Sequence, residues 1–122
     1  MTARVATCAR VPAAGQYRAS TRSAGEPEAV ERLADLLVHA EKPAVLLGSQ
    51  VWTTRGTAAA IDLVRTLNIP AYMNGAGRGT LPPGDPHHFQ LSRRYAFSNA
   101  DLIIIVGTPF DFRMGYGKRL GR

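Results

Sequence analysis

Three short apolar runs limit most strongly what this chain can fold into: AVLLG at 44–48, IPAYM at 69–73 and DLIIIVG at 101–107. A run with no polar alternation reads as a strand covered on both faces. Each run follows a segment with helical spacing, and each gives way to glycine or to a glycine-bearing loop. Strands that alternate with helices at this pitch need right-handed crossovers, and so a parallel sheet with helices packed on it. The expected class is therefore α/β. The last segment, TPFDFRMGYGKRLGR, holds no further strand, so the sheet is expected to stop short at the C-terminus.

The helical segments carry their own signals. Glu26-Pro27 opens the first, since proline suits the first helical position. Val30, Leu33, Leu37 and Ala40 recur at helical spacing, with Ala29, Ala34 and Leu36 widening the stripe. Residues 55–67 form the second helix, ended by Asn68, with Ala58, Ile61, Leu63 and Val64 for burial. Residues 88–100 read as a third, offering Phe89, Leu91, Tyr95 and Phe97. Residues 1–25 show no sustained period and are expected to be a linker or arm, partly disordered. Residues 26–122 then make one domain.

The net charge of +6 invites a nucleic-acid reading until its distribution is followed. Four arginines and no acid lie in 1–25, and four basic residues and no acid in 113–122. All nine acids fall in 26–112 against seven basic residues, which leaves the middle at −2 (7 − 9). Basicity confined to the ends argues against a nucleic-acid face. No apolar run approaches the ~20 residues of a membrane helix. Cys8 is the single cysteine, so an internal disulfide is excluded and a reducing cytoplasm is expected.

Gly75, Gly77 and Gly79 alternate after the second strand, as in a phosphate cradle. The dinucleotide fingerprint fails, however, because position 80 is Thr80 and Leu81-Pro82-Pro83 prevents a helix from opening there. On spacing alone, the glycines shape a tight loop. Position still favours a ligand site, because Gly48-Ser49, the Gly75–Gly79 loop and Gly107-Thr108 each follow a strand and gather at one sheet edge. Arg78, Arg93 or Arg94 would supply charge-assisted bonds to an anion there. No catalytic or metal constellation is present: His87 and His88 are adjacent in a proline-rich loop, and His39 is remote. Tyr72, Trp52 and Phe112 read as core or interface residues, with Trp52 placed to flank a ligand.

EAVERLADLLVHAEKPAVLLGSQVW, IPAYMNGAGRGTLPPGDPHHF and SRRYAFSNADLIIIVGTPFDFRMGYG, in that order and spacing, resemble the central domain of thiamine-diphosphate-dependent enzymes. The likeness is to the acetolactate synthase large subunit and its relatives, oxalyl-CoA decarboxylase and 2-hydroxyacyl-CoA lyase, and covers about residues 17–117. It implies a Rossmann-like three-layer domain that holds FAD or ADP, or only scaffolds, between two domains that bind thiamine diphosphate and magnesium. It implies that the chain is an incomplete central domain without activity of its own, in an oligomeric enzyme of branched-chain amino acid biosynthesis.

Carried over by position, the resemblance marks Arg93, eight residues before Asp101, as the arginine near an adenine nucleotide. It marks Gly107, Thr108 and Pro109 after the last strand, and Asp111 with Arg113 as the acid–base pair of an FDDR-like motif. With Gly48, Ser49, Gly75 and Gly77 these make the expected cofactor-binding set. This sequence has FDFR instead, and FQLSRRY where FAD-dependent synthases carry an LGMHG-like stretch. Both departures argue against FAD. The alternative reading is a free-standing nucleotide-binding or protein-interaction module whose basic tails hold an acidic partner. The expected partners are otherwise the remaining domains of the enzyme and, through an unpaired edge strand or swapped tails, further copies of this chain.

Overall fold

A computed structural model describes Ala13 and residues 24–118. The chain runs α1 (Pro27–His39), β1 (Pro43–Leu47), α2 (Ser49–Thr53), α3 (Thr57–Leu67), β2 (Ala71–Met73), a 3-10 turn (Gly75–Gly77), α4 (Arg93–Asn99), β3 (Leu102–Val106) and a second 3-10 segment (Phe112–Gly117). The three strands form one parallel sheet in the order β2-β1-β3. The α/β class and the parallel sheet are those the apolar runs imply. The arm expected over 1–25 lies outside the described residues, apart from Ala13, Ala24 and Gly25.

Strand β1 is apolar throughout because it has neighbours on every side. Pro43 to Leu47 pair with Leu102 to Val106 along one flank, and Val45 to Leu47 with Ala71 to Met73 along the other. Its side chains alternate between two cores, as the period of a strand requires. Val45 and Leu47 pack with Val64 of α3, Leu81, Ile104, and Leu33 and Leu37 of α1. Ala44 and Leu46 pack on the opposite face with Tyr72, Phe97 of α4 and Met114. The layers are thus α1 and α3, then the sheet, then α4 with the second 3-10 segment.

Several boundaries differ from the sequence expectation, each for a local reason. Strand β2 begins at Ala71 rather than Ile69, since Pro70 has no N–H to donate; its carbonyl still accepts from Val45 N at 3.0 Å. Helix α2 was not foreseen, because its five residues are too short for a periodic pattern. The third helix starts at Arg93, five residues later than expected. A short stretch before it, His87 to Phe89, lies beside β2 instead: Ala71 N donates to His87 O at 2.8 Å, and Phe89 N to Ala71 O at 3.0 Å. His88 thereby bridges Ala71 in parallel fashion and covers one sheet edge.

Burial follows these shifts. Of Phe89, Leu91, Tyr95 and Phe97, only Phe97 is buried, and it meets Tyr72 edge-on at 5.2 Å. Only Leu33 and Leu37 of the wide stripe expected on α1 pack on the core, while Val30 and Leu36 are exposed. Tyr72 is buried as expected, but Trp52 and Phe112 are exposed and belong to neither core.

Asp85 fixes the loop that covers the β2 edge. Its carboxylate, 2% exposed, accepts from His87 N at 3.0 Å and from the Arg65 guanidinium at 2.9 Å, and faces His87 Nδ1 at 3.0 Å. The His87 backbone N–H foremost, then Arg65, holds its pKa down to about 2, from an ordinary 3.8. A carboxylate with a depressed folded pKa contributes stability in full above its unfolded pKa and loses it as pH falls towards the folded one. Urea midpoints of the full chain are therefore expected to fall between pH 3.8 and about 2, and less so in Asp85→Asn. Equal falls in both proteins would refute this role. The fall persists in part in the variant, because Asp101 is also held down by the Glu41 and Lys42 backbone N–H groups, at 2.6 and 2.9 Å.

Candidate functional site

All three strands are parallel, so their carboxyl ends meet at one edge, where open α/β sheets bind ligands. Three backbone bonds draw the following loops together. Gly48 N donates to Val106 O at 2.8 Å, Gln50 N to Gly107 O at 3.1 Å, and Asn74 N to Leu47 O at 3.0 Å. Glycine is needed where these loops cross. A Cβ on Gly77 would lie 2.7 Å from the carbonyl oxygens of both Leu47 and Gly48, and one on Gly48 would strike Gly107 O. Ser49 Oγ then accepts from Ala76 N at 3.0 Å and anchors the glycine turn over the start of α2.

Between these loops lies a cleft of about 560 Å³, lined by Ser49, Gln50, Asn74, Gly75, Arg78, Arg93, Thr108, Pro109, Asp111 and Arg113. Seven of the ten residues expected from the sequence stand on its wall: Ser49, Gly75, Arg93, Thr108, Pro109, Asp111 and Arg113. The other three, Gly48, Gly77 and Gly107, shape the crossing beneath it. Gln50 and Asn74 went unnoticed in the sequence, although both sit within three residues of a strand end. Arg94 lines a neighbouring cleft of about 340 Å³ with Tyr72, Phe89, Arg78 and Arg93.

The wall is cationic. Asp111 accepts from Arg113 N at 2.9 Å and pairs with Arg113 Nε at 3.3 Å, so its charge is matched within the FDFR turn. The Arg113 guanidinium also lies 5.4 Å from the centre of the Phe112 ring, which stands where the FDDR-like motif has a second acid. Arg78 and Arg93 form no ion pair among the described residues. Arg93 is half-buried and Arg78 exposed. Thr108 Oγ1 donates to Asn74 Oδ1 at 3.2 Å, which fixes the amide at the cleft floor. Two unpaired guanidiniums beside amide and hydroxyl groups suit an anion with several oxygens.

No group of three His, Cys, Asp or Glu side chains is placed to hold a metal among the described residues. His39 contacts the Asp35 carbonyl at 2.7 Å, and His87 is engaged by Asp85 and Asn68. No helix among the described residues is long and apolar enough to cross a membrane.

The family profile described as thiamine pyrophosphate enzyme, central domain, matches residues 30–121. A probable acetolactate synthase of Mycobacterium bovis is 39% identical over 94 residues, 77% of this chain and 17% of that protein. The 2-hydroxyacyl-CoA lyase 2 of Danio rerio is 40% identical over 96 residues, 76% of this chain and 15% of the relative. Its Bos taurus counterpart is 37% identical over 97 residues, 79% of this chain and 15% of the relative. The chain therefore spans about a sixth of the length of these relatives. The match over most of the described domain, on a parallel sheet with its cleft at the carboxyl edge, makes this chain a member of the thiamine pyrophosphate enzyme central-domain family.

Proposed function

We propose that this domain is the nucleotide-holding central unit of an acetolactate-synthase-like enzyme, and that its carboxyl-edge cleft takes the adenosine diphosphate moiety common to ADP and FAD. The single observation that carries this reading is the pair of uncompensated guanidiniums, Arg78 and Arg93, on the wall of the 560 Å³ cleft. That volume falls in the roughly 300–1,000 Å³ range of small-molecule sites. Arg93 and Arg78 would hold the diphosphate, while Asn74, Thr108 and Ser49 offer neutral hydrogen bonds to the sugar. ADP is the favoured ligand over FAD, because FDFR and FQLSRRY depart from the FAD-associated motifs. Thiamine diphosphate and magnesium would be bound by other domains of the enzyme. This chain by itself is then expected to turn over no 2-oxo acid or acyl-CoA.

Calorimetric titration of the full chain tests the site. ADP is expected to bind, and Arg93→Ala to weaken it about tenfold or more, the equivalent of roughly 1.4 kcal/mol for one lost charge-assisted contact. Heat-silent titrations with ADP and with FAD, and no change in thermal midpoint with either, would end the nucleotide reading.

Self-association belongs to the same proposal. The His87–Phe89 segment covers the β2 edge, whereas β3 pairs on one side only among the described residues. Leu102–Val106 is wholly apolar, and an open apolar edge recruits another strand. Light scattering is expected to show the mass rising above one chain with concentration. A constant monomer mass up to the highest soluble concentration would contradict it.

A further inference from the structure

Trp52 has no place in either core and none in the carboxyl-edge cleft. It projects from α2, 65% exposed, and walls a separate cleft of about 280 Å³ with Thr57, Ala76, Arg78, Gly79 and Thr80. Most of the surface of this cleft is apolar, which suits a flat ring stacked against the indole. Its one charged wall residue is Arg78, whose guanidinium has no acidic partner among the described residues. A ring with no charge would leave that cation unanswered; an anion with no ring would leave the indole bare. We infer that the Trp52–Arg78 cleft binds a planar aromatic anion, stacked on Trp52 with its acidic group on Arg78.

This site shares Arg78 with the nucleotide cleft, so the two ligands would compete for that one guanidinium, whereas Arg93 belongs to the nucleotide cleft and not to this one. Arg55 lines a further cleft with Trp52, Thr53 and Thr57. It adopts φ of 59°, the left-handed region that glycine tolerates best. Arg55→Gly therefore removes a nearby guanidinium without straining the backbone and serves as the control for charge in general.

Trp52 is the only tryptophan of the chain, so its fluorescence reports on the two clefts that share its indole, and Arg55→Gly tells them apart. We would titrate the full chain with 4-nitrobenzoate, whose nitroaryl ring quenches an indole on contact, correcting for absorbance and using nitrobenzene as the uncharged comparator. Quenching by 4-nitrobenzoate is expected to saturate. Arg78→Ala is expected to weaken it about tenfold, the loss of roughly one charge-assisted contact. Arg55→Gly and Arg93→Ala are expected to leave it unchanged, and far-UV circular dichroism checks that each variant is folded. Linear, unsaturable quenching, quenching equal to that of nitrobenzene, or indifference to a folded Arg78→Ala protein would each overturn the inference. Should Arg78→Ala fail to fold, Arg78→Gln takes its place under the same criteria. Because Arg93→Ala is expected to change only the ADP titration, the two proposals can fail separately.

Discussion

Gly48→Ala is expected to destabilise the full chain by roughly 3 kcal/mol, the upper end for overpacking a tight site. The added methyl would meet the Gly107 carbonyl and the Thr108 side chain, both at the end of β3. Backbone is the obstacle there, so no rotamer change makes room. Either β3 slides from β1, breaking the Gly48 N to Val106 O bond, or the α2 turn lifts away. Against a usual total of about 5–15 kcal/mol, the loss would be a large share of the stability. Urea unfolding monitored by circular dichroism measures it, and a loss below about 1 kcal/mol would contradict the packed crossing. Gly79 is the natural comparison. A Cβ there meets nothing within 4 Å, although φ is +93°, so Gly79→Ala carries only the backbone term, about 1–2 kcal/mol for a left-handed residue.

Leu46→Ala is expected to cost a similar amount, about 3–4 kcal/mol within the 2–5 of buried leucine truncations. Leu46 is fully buried on the α4 face of the central strand, among Ala44, Tyr72, Phe97 and Met114. Strand β1 is hydrogen-bonded on both flanks, so the backbone cannot move inward to fill the void. Leu46→Met conserves volume and is expected to stay within about 1.5 kcal/mol. Leu36→Ala provides the contrast on α1, where the side chain is mostly exposed; a change within about 0.5 kcal/mol is expected. Should Leu36→Ala prove as costly as Leu46→Ala, the core would lie elsewhere than these contacts indicate.

The apolar runs alone determined that the chain is α/β with parallel strands, because a strand buried on both faces has no room for polar alternation. They also determined that the loops after Leu47, Met73 and Val106 share one edge, since parallel strands finish together. Helix limits were legible where local chemistry sets them, as at Pro27 and at Asn68, whose φ of 51° is a left-handed cap. Tertiary contacts decided the rest. Residues 88–92 have helical spacing, yet the Ala71 backbone claims His87 and Phe89 for a strand-like pairing, and local periodicity cannot register a partner some 17 residues away. Trp52 and Phe112 are apolar by type but exposed, because neither sheet face reaches them. Gly48, Gly77 and Gly107 looked like ligand-facing glycines in the sequence; only the folded backbone, where the loops cross too closely for a Cβ, separates the glycines that shape the cleft from the residues that line it.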